Sequence, residues 1–135
     1  MNNSLIYMIN TGASSVLANG IIPLPIIARR RCKSIQSTND GIVLNTPGYY
    51  KINTAITFTA PVAGDVSIEL QKNGVSIPGL IGSKTVTTTS TEIDQIIISG
   101  IVRMGCNEGV ATLTLLNSGV AIDTVNVSID VEYLD

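Results

Sequence analysis

The last strand-length run of this 135-residue chain alternates with little interruption. Val125, Val127, Ile129, Val131 and Tyr133 are apolar, and Asn126, Ser128, Asp130 and Glu132 between them are polar. Successive side chains of a β-strand point to opposite faces, so a run of this kind predicts a strand with one face on a core. The period recurs upstream. Tyr50, Ile52, Ile56 and Phe58 oppose Lys51, Asn53, Thr57 and Thr59; Val66, Ile68 and Leu70 oppose Ser67, Glu69 and Gln71; Leu113 and Leu115 share a face. Turn residues separate these runs at Asp40-Gly41, Pro47-Gly48, Ala63-Gly64-Asp65 and Asn73-Gly74. Asn73-Gly74 suits a type I′ hairpin, in which both central residues need positive φ. Asn117-Ser118-Gly119 is expected to close a further hairpin. Residues 4–9 read as an opening strand, and residues 21–27, broken by Pro23 and Pro25, belong on an edge or along an irregular border because proline cannot donate to a ladder. No segment carries helix caps and no solenoid period appears, so residues 1–135 are expected to form one all-β domain.

One run departs from the one-sided pattern. Between Glu92 and Met104, Ile96, Ile98, Val102 and Met104 make one apolar face, while Ile93, Ile97 and Ile101 make the other apolar too. The β-branched residues and Gly100 favour a strand over a helix. A strand apolar on both faces needs cover on both. A two-sheet sandwich covers only one, so the face of Ile93, Ile97 and Ile101 is expected to meet another subunit. Tyr49, on the opposite side from Tyr50, is expected to join it. Composition points the same way: charged residues make up 13% of the chain, against about a quarter in ordinary domains.

The chemistry is sparse. A chain without histidine has neither a Ser-His-Asp nor a Cys-His nucleophile. The carboxylate pairs Glu92/Asp94 and Asp130/Glu132 read as solvated strand faces, and no phosphate-cradling glycine pattern is present. No catalytic, cofactor-binding or metal-binding residue is expected. Cys32 and Cys106 cannot supply an ordinary zinc site without a histidine, and they read as buried thiols or else as a disulfide. A net charge of −2 and few aromatic residues argue against nucleic acid as a partner. No run is long enough for a membrane-spanning helix, and no secretory signal is expected at the start. Arg29, Arg30 and Arg31 belong to a cluster that holds four of the eight basic residues. Arg29 and Arg31 should point to one face and Arg30 to the other. The cluster suits contact with an acidic partner surface, or salt bridging that guards a sheet edge.

Several segments carry a family likeness. Pro-Gly-Tyr-Tyr-Lys-Ile at 47–52 resembles a strand of C1q-like and TNF-like jelly rolls, and Leu-Gln-Lys-Asn-Gly at 70–74 resembles the strand and hairpin after it. With Arg-Arg-Cys at 30–32, Val-Arg-Met-Gly-Cys at 102–106 and Leu-Thr-Leu-Leu-Asn-Ser-Gly at 113–119, the series is similar to small C1q/TNF-like proteins of bacteriophages and Gram-positive bacteria. It is also similar to the C-terminal domain of collagen-like spore-surface glycoproteins, though no collagen-like stretch accompanies it here. The motifs encode strands and turns and carry no catalytic signature. The resemblance implies a two-sheet jelly-roll sandwich of about ten strands that assembles as a homotrimer. Tyr49, Ile93, Ile97 and Ile101 would then lie at the trimer interface. The function it implies is a structural protein of a bacteriophage virion surface, in head decoration or an appendage, with other virion proteins as further partners. A carbohydrate- or receptor-binding adhesion module and a bacterial surface or spore-coat component are the alternatives.

Overall fold

The computed structural model describes residues 4–31, 34–38, 40–87 and 90–134. In chain order the strands are β1 (Leu5–Asn10), β2 (Ser14–Val16), β3 (Ile26–Arg31), β4 (Ile35–Thr38), β5 (Gly41–Leu44), β6 (Gly48–Ala60), β7 (Gly64–Lys72), β8 (Val75–Val86), β9 (Ser90–Met104), β10 (Ala111–Asn117) and β11 (Ile122–Leu134). They form two antiparallel sheets. One runs β3-β1-β11-β6-β9, with β2 paired to the start of β11, and the other runs β4-β5-β10-β7-β8. No helix occurs among the described residues. The strand count exceeds the expected ten through the three-residue β2.

The alternation read from the sequence sets the packing. Along β6, Tyr50, Ile52, Ile56 and Phe58 are buried, together with Thr54, whose hydroxyl donates to the Ser128 carbonyl at 2.8 Å. Val66, Ile68 and Leu70 of β7 and Leu113 and Leu115 of β10 meet them from the second sheet. Asn73 and Gly74 take φ of 54° and 81°, as a type I′ turn requires. Ile22 and Leu24 are buried on either side of Pro23, along an irregular border where Ile21 makes an isolated bridge to Leu116.

Three expectations are corrected. The inward set of β11 does not include Val125: a register shift between Thr124 and Asn126 turns Val125 outward and buries Thr124 instead. An extra residue on one strand of a pair reverses the side-chain sense beyond it. The segment Asn117-Ser118-Gly119 is not a hairpin, because β10 and β11 lie in different sheets. It carries the chain across the sandwich end. There the buried Asn117 amide donates to the carbonyls of Val16, Leu17 and Val120 at 3.2, 3.3 and 2.9 Å. The Ser118 and Val120 N–H groups donate to the Ser67 and Asp65 carbonyls of β7. Finally, Cys106 is a free, exposed thiol and not a buried one, since it follows the end of β9 in a loop; Cys32 lies outside the described residues.

The sandwich closes at the corner between β8 and β9. A Cβ on Gly82 would run into Ile96 Cγ2, and one on Gly100 into Leu80 Cδ2. Lys84 and Asp94 form an ion pair across the same corner, so Asp94 is committed to structure. Beside this corner Gly119 lies where a Cβ would strike the Asp65 carbonyl and the Ser67 nitrogen of β7, whose cross-strand partners are Thr85 and Ser83. Gly119→Ala and Gly82→Val should each destabilise the fold by about 1–3 kcal/mol, the range for overpacking. Gly12→Ala, where the nearest atom is 3.7 Å from the added carbon, should change little. Urea unfolding of the three variants checks this order.

Candidate functional site

Cross-strand register arranges the outer face of the β3-β1-β11-β6-β9 sheet in rows. One row reads Ile97, Ala55, Ser128, Ile9 and Ile26 from β9 to β3. The next reads Ser99, Asn53, Asp130, Tyr7 and Arg29, and the third Ile101, Lys51, Glu132, Leu5 and Arg31. At the end of the sheet Tyr49 stands between Arg103 and Leu134. The face is therefore apolar along β1 and at Ile97 and Ile101 of β9, polar through β11 and β6, and basic at Arg29 and Arg31 of β3.

The residues singled out by periodicity are exposed: Tyr49 by 53%, Ile93 by 63%, Ile97 by 69% and Ile101 by 60%. Ile93, Ile97 and Ile101 form a ridge along β9, which ends the sheet on the side away from β3. Beside it the sheet holds an open basin of about 480 Å³, lined by Leu5, Tyr7, Arg29, Ala55, Ile97 and Asp130 among others. The structure thus brings Ile97 and Arg29 to one basin from opposite sides of the sheet. Arg30 pairs with Ile6 and so lies on the other face of β3 from Arg29 and Arg31. The Arg29 guanidinium donates to the Ala28 carbonyl at 2.8 Å, and Asn53 donates to the Asp130 carboxylate at 3.4 Å.

The end that carries Tyr49 is held firmly. The Tyr50 hydroxyl donates to the Thr46 carbonyl, and burial pushes its phenol pKa up. Tyr133 packs edge-on against Tyr50, with ring centroids 5.2 Å apart, and donates to the Pro47 carbonyl at 3.1 Å. Glu108 pins the loop after β9 by accepting from the Gly105 N–H at 3.1 Å and from Lys72 at 3.0 Å. Lys72 also donates to the Arg103 carbonyl at 3.0 Å. Among the described residues no group of three or more His, Cys, Asp or Glu side chains is placed to hold a metal. The Glu92 side chain lies outside the described ones.

The sequence matches no family model and no curated protein. The structure, in contrast, superposes on several solved ones over 98% of this chain. Murine APRIL aligns with a TM-score of 0.73 at 11% identity over 100% of its chain. The globular domain of the zebrafish complement 1qA protein aligns at 0.70 and 7% identity over 98% of its chain, and PRD1 vertex protein P5 at 0.65 and 15% over 97%. The fold is a C1q/TNF-like jelly roll.

In this C1q/TNF-like sandwich, reading the sequence missed the second apolar flank. Leu5, Tyr7 and Ile9 of β1 are half-buried on the outer face, while Ile6 and Met8 fill the core. The signal was present, since Leu-Ile-Tyr-Met-Ile is apolar on both faces in the same way as β9.

Glu108 supplies a pH prediction for this end of the sheet. Its carboxyl is held below the ordinary value of 4.5, first by the Gly105 N–H and then by Lys72. A depressed folded-state pKa gives stability that is present above the unfolded value and lost as pH falls through the folded one. Protection factors of the amides in the 105–110 loop should therefore fall as pH drops below about 4.5. Glu108→Gln should raise their exchange at neutral pH and remove most of the acid dependence, as hydrogen exchange would report.

Proposed function

We propose that this protein is a non-enzymatic structural protein of a bacteriophage virion surface that assembles as a homotrimer through the outer face of the β3-β1-β11-β6-β9 sheet. The observation that carries this reading is the exposed ridge of Ile93, Ile97 and Ile101 with Tyr49 at the end of the same face. Contiguous apolar surface of this kind marks an interaction site. Each such side chain moved from water into a contact is worth about 1.5–3 kcal/mol, so several together can hold subunits without a ligand.

The geometry favours a closed ring over a two-fold pair. A two-fold interface joins like patches, whereas a ring joins two unlike ones. Here the ridge on β9 and the basin beside β1 are unlike patches on one face. The C1q/TNF-like fold and the resemblance to trimeric jelly rolls support a ring of three. The likeness to a vertex protein supports the virion role, which would be attachment or stabilisation through burial.

Light scattering of the purified protein should give a trimer mass. Ile97→Asp, which places a charge on the ridge without touching the core, should give a monomer or an aggregate with unchanged far-ultraviolet circular dichroism in its soluble fraction. An undisturbed trimer in that variant overturns the interface. Banding of the protein with phage particles in a density gradient supports the virion role, and recovery solely as free protein overturns it.

A further inference from the structure

We propose that Asn73-Gly74 is a self-modification site, at which the chain deamidates through a cyclic imide and so loosens one end of the sandwich. The chain holds two Asn-Gly pairs, at 19–20 and 73–74, and both asparagines take positive φ, 64° and 54°. Their surroundings differ in the two respects on which the reaction depends.

The reaction joins the glycine amide nitrogen to Cγ of the asparagine. Solvent hydroxide takes the proton from that nitrogen, the N–Cγ bond forms, and Oδ1 carries the negative charge of the tetrahedral intermediate. The Cγ–Nδ2 bond then breaks, and Nδ2 leaves as ammonia with a proton from water. A second water opens the imide. Attack at Cγ gives aspartate, and attack at the backbone carbonyl gives isoaspartate, whose main chain runs through Cβ. The net change converts an amide and water to a carboxylic acid and ammonia.

At residue 73 both reacting groups are disposed for this chemistry. Asn73 and Gly74 are exposed. The Gly74 N–H has no acceptor among the described residues, and a Cβ built on Gly74 would meet nothing within 4 Å. Oδ1 of Asn73 accepts from the Thr112 N–H at 2.9 Å. A donor already aimed at the oxygen that becomes charged stabilises the intermediate. At residue 19 the nucleophile is engaged instead. The Gly20 N–H donates to the Leu17 carbonyl at 2.9 Å, and the Gly20 carbonyl accepts from the Asn117 N–H at 2.9 Å. A Cβ on Gly20 would lie 2.9 Å from the Leu17 oxygen, so this turn is also the more crowded of the two.

The product would disturb its neighbours. Asn73 ties the β7–β8 hairpin to β10, since its own N–H donates to the Thr112 carbonyl at 2.8 Å. The residue before it, Lys72, holds Glu108 and the Arg103 carbonyl. An extra backbone carbon at the turn and a new carboxylate next to Lys72 would weaken both ties and free the 105–110 loop. The inference does not rest on the trimer.

The folded protein, held in mildly alkaline buffer and digested in acid, should show the mass gain of amide-to-acid conversion at Asn73. Conversion there should run roughly three- to tenfold faster than at Asn19, the factor that one net hydrogen bond supplies, and should speed up as pH rises. In concentrated urea both turns are lost and the local sequences, Asn-Gly-Val and Asn-Gly-Ile, are alike, so the two rates should converge. Hydrogen exchange of the converted fraction should show lower protection at 105–110. Asn73→Gly keeps a turn-compatible pair and removes the amide, and this variant should lose no protection over the same incubation. The proposal is overturned if Asn73 stays intact in the folded protein while it converts in urea. Equal rates at Asn19 and Asn73 in the folded protein overturn it too, as does full protection at 105–110 in the converted fraction.

Discussion

Two antiparallel sheets bury one face each against the other, and every strand has a second face that this core cannot use. That constraint divides the molecule. The β4-β5-β10-β7-β8 sheet turns Ser67, Glu69, Gln71, Thr112 and Thr114 outward, a face that water can solvate. The other sheet turns out Ile93, Ile97, Ile101 and Tyr49 on one flank and Leu5, Tyr7 and Ile9 on the other. Exposed isoleucines are more numerous on that face, although Ile81 is exposed on the other sheet, and it is the face through which the proposed trimer would form.

The core that supports this face is narrow at one corner and ordered by polar groups at the ends. Gly82 and Gly100 let β8 and β9 approach, so the ridge on β9 is backed by packed Ile96 and Ile98. Level with Gly82 across β7, Asn117 holds the crossover after β10 with three amide contacts. An edge built on rigid packing can present its isoleucines at fixed spacing, which suits an interface more than a flexible loop would.

Much of this was legible beforehand, and the exceptions share one cause. Burial of Tyr50, Ile52, Ile56 and Phe58, and exposure of Tyr49 and Ile97, follow from a two-residue period that neighbours in sequence determine. Val125 was misassigned because a bulge depends on how β11 meets β6, and nothing local to Val125 announces it. Asn117-Ser118-Gly119 has the composition of a hairpin turn. Whether the strand beyond it pairs with β10 or crosses to the other sheet is decided by where β1 and β6 lie. The β1 flank was different, since its two-sided apolar run carried the same signal as β9.

The amino-acid order by itself determined the period of each strand, hence which side chains share a face and that one face too many is apolar. It also determined that Arg29 and Arg31 lie opposite Arg30. Only the tertiary structure decided that Arg29 and Ile97, far apart in the chain, line one basin, and that β3 and β9 stand at the two ends of their sheet. The physical reason is range. Side-chain alternation is a property of consecutive peptide units, whereas strand order follows from the burial of distant segments against one another.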